Sequence, residues 1–135
     1  MKFSGTILLV DDEAHIRKFV GLILKQLCSP RVLEASNGIE ALEIYEREKP
    51  DLVLLDVNMP NMTGLETLRK LRELNPDCIA IMLTSLVNRQ TIDEAIELGA
   101  SNYIRKDNSK EEIARELTET ITACFEELLE GEPAS

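Results

Sequence analysis

The sequence predicts an α/β fold, a doubly wound five-stranded parallel sheet with helices on both faces, and three observations support this. Short apolar runs alternate with longer amphipathic stretches about five times along the chain, the order that a helix-covered parallel sheet requires. The middle runs are almost unbroken Val, Leu and Ile, so those strands are buried on both faces instead of alternating apolar with polar. Proline or glycine stands between most of the helical stretches and the next run.

Taken in order, the first run is Thr6 to Val10, and it ends on Asp11, Asp12 and Glu13. Ile16, Phe19, Val20, Ile23, Leu24 and Leu27 recur at helical spacing and predict the first helix, stopped at Ser29-Pro30. The second run, Arg31 to Glu34, ends blandly at Ala35 and Ser36. A weaker stripe through Leu42 and Tyr45 follows, closed at Lys49-Pro50. Asp51 to Leu55 is the third strand and ends in Asp56. Leu65, Leu68, Leu71 and Leu74 form the third helical stripe, stopped at Asn75-Pro76. Cys78 to Leu83 ends in Thr84-Ser85, and Ile92, Ala95 and Ile96 mark the fourth helix, which closes at Gly99. The fifth run, Ser101 to Ile104, leads into Lys106.

Ser109 and Glu112 stand in capping-box spacing at the head of the last helix. Ile113, Leu117, Ile121, Cys124 and Leu128 line one side of it, and the pattern runs to about Glu130 before Gly131 and Pro133. Such a helix is about 32 Å long against about 17 Å for a five-residue strand, so its final turns overhang the body. Two readings of the overhang stand: a frayed terminal helix, or a weak homodimer or partner contact through Phe125, Leu128 and Leu129. One domain is expected over residues 5–130, with a short tail over 131–135.

The balance of 25 acidic against 15 basic residues gives a net charge of -10, which repels nucleic-acid backbones and anionic membranes. The expectation is no nucleic acid and no membrane as partners. The first apolar run is too short for a signal peptide and no stretch approaches a membrane span, so a cytoplasmic location is expected. Cys28, Cys78 and Cys124 lie in apolar patterns without C-x-x-C spacing and are expected as reduced core or near-core thiols.

In a doubly wound sheet, ligands bind outside the carboxyl ends of the strands. With strand order 2-1-3-4-5, the flavodoxin-like arrangement, Asp11, Asp12 and Asp56 come to one edge together with Thr84 and Lys106. Several carboxylates so close repel one another unless a cation neutralises them, and hard oxygen ligands suit Mg2+. One carboxylate is then a nucleophile toward phosphorus, with Mg2+, the Lys106 ammonium and the Thr84 hydroxyl sharing the charge of the transferred oxygens.

At this point the residues resemble the receiver domains of two-component response regulators, of the chemotaxis-regulator type. The match lies in Leu-Val-Asp-Asp-Glu at 9–13, Leu-Leu-Asp-Val-Asn-Met-Pro at 54–60, Gly64, Thr84-Ser85, Gly99-Ala100 and Tyr103-Ile104-Arg105-Lys106, and spans about residues 5–125. The resemblance implies Asp56 as phosphoacceptor and Asp12 as a direct Mg2+ ligand. It makes Asp11 a ligand through water, and gives Asn58 the role of offering its backbone carbonyl to the metal. Thr84 and Lys106 bind the phosphoryl group. Thr84 and Tyr103 form a switch pair that changes the face of the fourth helix, fifth strand and fifth helix for a downstream protein target. A sensor histidine kinase or phosphotransfer protein supplies the phosphoryl group, and the chain is a phosphoacceptor, not a turnover enzyme. Cognate kinase, downstream target and the process controlled are not readable from the residues. On the count of residues after the last helix, a stand-alone regulator is expected over a piece cut from a longer one.

Two positions depart from the family pattern. Asp107 follows Lys106 where proline is usual, so a trans bond is expected there and a different reach for Lys106. Thr63 stands where Asp is usual. Leu86 lies near the path of an attacking water in relatives, where an apolar side chain slows hydrolysis.

Each residue also has a bland reading. Asp11 and Asp12 serve as caps of the first helix, Asp56 begins a loop, Thr84-Ser85 caps a helix, Lys106 is solvated, Tyr103 is a static strand residue, and His15 is a surface imidazole. The rival enzyme class is a haloacid-dehalogenase-like phosphatase, which needs Asp two residues after the nucleophile, where this chain has Asn58. A nucleotide binder needs a Gly-rich loop, and neither phosphate-loop pattern occurs. The alternative within the family is a degenerate receiver that binds partners without phosphate.

Overall fold

The computed structural model describes residues 3–85 and 88–125. Strands and helices alternate throughout: β1(Thr6–Val10), α1(Ala14–Leu27), β2(Arg31–Ala35), α2(Gly38–Glu48), β3(Leu52–Leu55), α3(Gly64–Leu74), β4(Ala80–Thr84), α4(Arg89–Glu97), β5(Asn102–Arg105) and α5(Lys110–Cys124). The strands pair in parallel in the order β2-β1-β3-β4-β5, as the sequence predicts.

The unbroken apolar runs explain the layering. Side chains alternate across a strand, so consecutive residues of β1, β3 and β4 feed opposite faces. Ile7, Leu9, Leu52, Leu54, Ile81 and Leu83 pack with Val20, Ile23 and Leu24 of α1 and Ile113, Leu117 and Ile121 of α5. Leu8, Val10, Val53, Leu55, Ala80 and Met82 pack on the other face with Ala41, Leu68, Leu71 and Ala95 from α2, α3 and α4. Each fully buried Leu or Ile contributes about 1.5–3 kcal/mol. A sheet with so many of them carries the electrostatic cost of buried carboxylates at its edge.

Helix ends follow local chemistry. Asn37 caps α2 by accepting from the Glu40 N–H, and Lys49 closes that helix in the left-handed region (φ 47°) before Pro50. Thr63 and Glu66 form a full capping box on α3, so the residue that departs from the family pattern is the one that starts this helix. At α5, Ser109 accepts from the Glu112 N–H, but the box expected there is only half made, because the Glu112 carboxylate pairs with Arg115. Gly99 turns out of α4 at φ 91°, where a side chain is strained.

The last helix ends earlier than its periodicity suggests. Phe125 leaves helical geometry, is 7% exposed, and packs its ring on Phe3 at a centroid distance of 5.0 Å. Its ring belongs to the core; Leu128, Leu129 and the stretch to Glu130 lie outside the described residues, as does Leu86. Cys28 and Cys78 are buried free thiols and Cys124 is a half-buried one. No helix among the described residues is long and apolar enough to cross a membrane.

Candidate functional site

Four strands deliver their polar ends to one edge. In register, Val10 stands opposite Leu55 and Leu55 opposite Met82, while Thr84 stands opposite Arg105. The residues that follow, Asp11, Asp56 and Lys106, are therefore neighbours although they are 45 and more positions apart in sequence. Backbone bonds pin them: Asp11 N–H to the Ala35 carbonyl at 3.1 Å, Asp56 N–H to Val10 at 3.0 Å, and Lys106 N–H to Thr84 at 2.9 Å.

Asp11 and Asp56 are each 3% exposed, and Asp12 is exposed beside them. Carboxylate oxygens of the three lie within 4.8 Å of one another. Lys106 Nζ sits 2.6 Å from Asp11 Oδ2, 3.1 Å from Asp56 Oδ2 and 3.6 Å from Glu13 Oε1, with its side chain 9% exposed. Lys106 therefore reaches the cluster although the described peptide bonds are all trans. Asp107 points away and binds Arg105 through two hydrogen bonds of 3.0 and 2.6 Å.

Burial, then the Asp11 charge, push the Asp56 carboxyl above the usual carboxylate range, against the opposing pull of Lys106 and the Asn58 N–H. For Lys106 burial works against the charged form, but the hydrogen bond to Asp11 and the charges of Asp56 and Asp11 outweigh it and hold the ammonium above its ordinary value. Asp56 is thus a carboxylate poised beside a cation.

The structure bears on several of the bland readings: Asp56 does begin the loop after β3, and others differ. The N-cap of α1 is Glu13, without a side-chain cap bond; Asp11 Oδ1 accepts from the Glu13 N–H at 2.9 Å, leaving Oδ2 to Lys106. The cap of α4 is Asn88, not Thr84 or Ser85. Thr84 is fully buried at the end of β4, and Lys106 is not solvated. Asn58 lies in the loop after Asp56 and donates its N–H to Asp56 Oδ1 at 3.3 Å. His15 is exposed, 3.8 Å from Glu13. Tyr103 is half-buried on the sheet face that bears α4 and borders a 270 Å³ cavity with Ile92, Ala95, Ile96 and Ala100. Burial and then the Asp56 charge raise its hydroxyl's pKa.

Gly64 is required by closeness. Its N–H bonds the Val57 carbonyl at 2.8 Å, and a Cβ there would lie 2.0 Å from the Asp56 carbonyl oxygen. Two further residues at this edge escaped the sequence reading, Arg17 and Glu34: Arg17 donates to the Asp11 carbonyl at 2.6 Å and to Glu34 Oε1 at 2.8 Å. The only sequence signal was a lone acid near the end of a strand that otherwise ends blandly.

The family model described as the response regulator receiver domain matches residues 7–118. The chain is 38% identical over 114 residues to the nitrate/nitrite response regulator protein NarL of Escherichia coli strain K12, covering 84% of this chain and 53% of that protein, so it spans about half the length of that relative. It is 37% identical over 100 residues to the chemotaxis protein CheY of Listeria monocytogenes, covering 74% of this chain and 84% of that one. Among solved structures, the CheY-like receiver domain protein of Methanospirillum hungatei superposes with a TM-score of 0.83 at 28% identity, over 93% of this chain and 99% of that one. The matched span takes in every strand-end residue of the acidic edge, and the chain belongs to the response regulator receiver domain family of two-component systems.

Proposed function

We propose that this domain accepts a phosphoryl group on Asp56 from a histidine kinase or phosphotransfer protein, in a Mg2+-dependent reaction, and presents its α4-β5-α5 face to a downstream protein. The observation that carries the proposal is the Lys106 ammonium held between two buried carboxylates, Asp11 and Asp56. The donor set fits the metal: three carboxylates with oxygens close together are hard ligands, and Asp11, Asp12 and Asp56 with the Asn58 carbonyl would hold it. Bound Mg2+ neutralises carboxylate and phosphoryl charge.

An Asp56 carboxylate oxygen attacks phosphorus and the bond from phosphorus to the donor's imidazole nitrogen breaks. The leaving imidazole keeps the electron pair, and an acyl phosphate forms on Asp56. Lys106 then turns from carboxylate partner to phosphoryl partner, and the Thr84 hydroxyl takes another oxygen. Movement of Thr84 is felt at Tyr103, because both lie toward the α4 side of the sheet, and the cavity that Tyr103 borders with residues of α4 leaves space beside the ring. The group is carried once per chain, so the domain is a switch and not a turnover enzyme. The cytoplasm is the compartment that suits such chemistry.

Intact mass after incubation with Mg2+ and acetyl phosphate tests this. A gain of one phosphoryl group that needs Mg2+ and vanishes in Asp56→Ala is expected. No adduct in the wild type, or an adduct that survives in Asp56→Ala, overturns the assignment.

A further inference from the structure

Arg17 takes no part in the chemistry above, yet it touches the frame that carries it. It sits in the first turn of α1, its N–H on the Glu13 carbonyl at 3.2 Å, and its side chain is only 17% exposed. Nη1 donates to the Asp11 backbone carbonyl at 2.6 Å, and Nε donates to Glu34 Oε1 at 2.8 Å. Glu34 is the penultimate residue of β2 and stands opposite Leu9 in register. One guanidinium thus joins the end of β1, the start of α1 and the end of β2.

We propose that Arg17 is a positioning residue for the metal-binding carboxylates, acting on the Asp11–Asp12 peptide from outside the cluster. The inference rests on the receiver reading and deepens it. Asp11 has its N–H on Ala35, its Oδ1 on the Glu13 N–H and its Oδ2 on Lys106. With its carbonyl held by Arg17, both ends of the residue are fixed, and so is the plane of the peptide that leads to Asp12. Asp12 itself lies between β1 and α1, outside strand and helix ladders, so that plane sets the position from which its side chain starts.

Glu34 has a second part in the device. A guanidinium beside three carboxylates binds them strongly, since its planar fork matches a carboxylate. Here two of its donor directions are taken by Glu34 and a backbone carbonyl, so its charge supports the acidic edge without occupying the oxygens a cation needs. Partners that orient metal ligands in this way typically cost about 10–100-fold in metal affinity when removed.

The test is a calorimetric Mg2+ titration of the whole chain, with the urea midpoint of each variant measured in EDTA. Arg17→Met is expected to weaken Mg2+ binding by about 10–100-fold. Arg17→Lys, which keeps the charge but offers a single point donor, falls between it and the wild type. Glu34→Gln also weakens binding, and the double variant loses no more than Arg17→Met alone. A packing role alone lowers the urea midpoints and leaves Mg2+ affinity unchanged. Unchanged affinity in Arg17→Met overturns the proposal, and should that variant not fold, unchanged affinity in both Arg17→Lys and Glu34→Gln does so. Wild type that takes up no Mg2+ at millimolar concentration overturns the receiver chemistry together with this inference, whereas equal binding by wild type and variants overturns the inference alone.

Discussion

Replacing Lys106 with methionine keeps the side-chain length and deletes the cation between Asp11 and Asp56. At an effective dielectric of about 20, charges 2.6 and 3.1 Å apart attract by about 5–6 kcal/mol each. Desolvation offsets most of that in the intact site. The variant keeps the desolvated carboxylates without the attraction, and stranding buried charges in this way costs about 3–5 kcal/mol, a large share of the about 5–15 kcal/mol that holds a domain folded. The loss depends on pH with a definite sign. The Asp56 carboxyl is already raised above its unfolded value by burial and by Asp11, so its ionisation disfavours the folded state, and the penalty is fully present above the folded pKa. It fades as pH falls through that pKa, where a proton replaces the lost ammonium. Urea unfolding followed by circular dichroism at neutral and acidic pH, in EDTA and in millimolar Mg2+, measures all of this. The expected result is a loss of about 3–5 kcal/mol at neutral pH in EDTA, shrinking in acid and in Mg2+. A loss under about 1 kcal/mol, the size of a surface pair, refutes the reasoning, and so does an equal loss with and without the metal.

Gly64→Ala places a Cβ against the Asp56 carbonyl and Val57 Cα, both backbone, so the loop must shift; a loss of about 1–3 kcal/mol in urea and slower phosphoryl uptake are expected, and an unchanged unfolding midpoint contradicts this. Thr63→Ala breaks the capping box of α3 and is expected to cost about 1 kcal/mol while leaving Asp56 able to take up phosphoryl from acetyl phosphate; a variant as stable as the wild type shows the box to be idle.

The acidic edge was legible because strand ends are marked in the sequence by the switch from Val, Leu and Ile to Asp, Thr or Lys, and a parallel sheet brings such ends together. What stayed hidden depends on register or on competition. The Arg17–Glu34 bridge exists only because β2 lies beside β1 in one alignment, which no local pattern reveals. The reach of Lys106 is likewise set by its bond to Thr84, a matter of how β5 lies on β4, so the missing proline was a poor guide to it. Glu112 has the spacing for a capping box, but Arg115 three residues on takes its carboxylate. Phe125 continues an apolar periodicity that ran on to Leu128, and nothing local marks it as the residue that turns inward.

The Phe3–Phe125 ring contact fixes more than the end of α5. All five strands start at one pole of the sheet, α5 runs back toward it, and the Ser29 N–H bonds the Phe3 carbonyl there at 3.1 Å. The two ends of the described chain are therefore stapled side by side, about one strand length, roughly 17 Å, from the acidic edge. A tether on either end, to a sensor chip or a bead, leaves that edge facing outward. A short linker between the two ends, with new termini cut into an exposed loop, makes a circular permutant that keeps the carboxylates and Lys106 where they are.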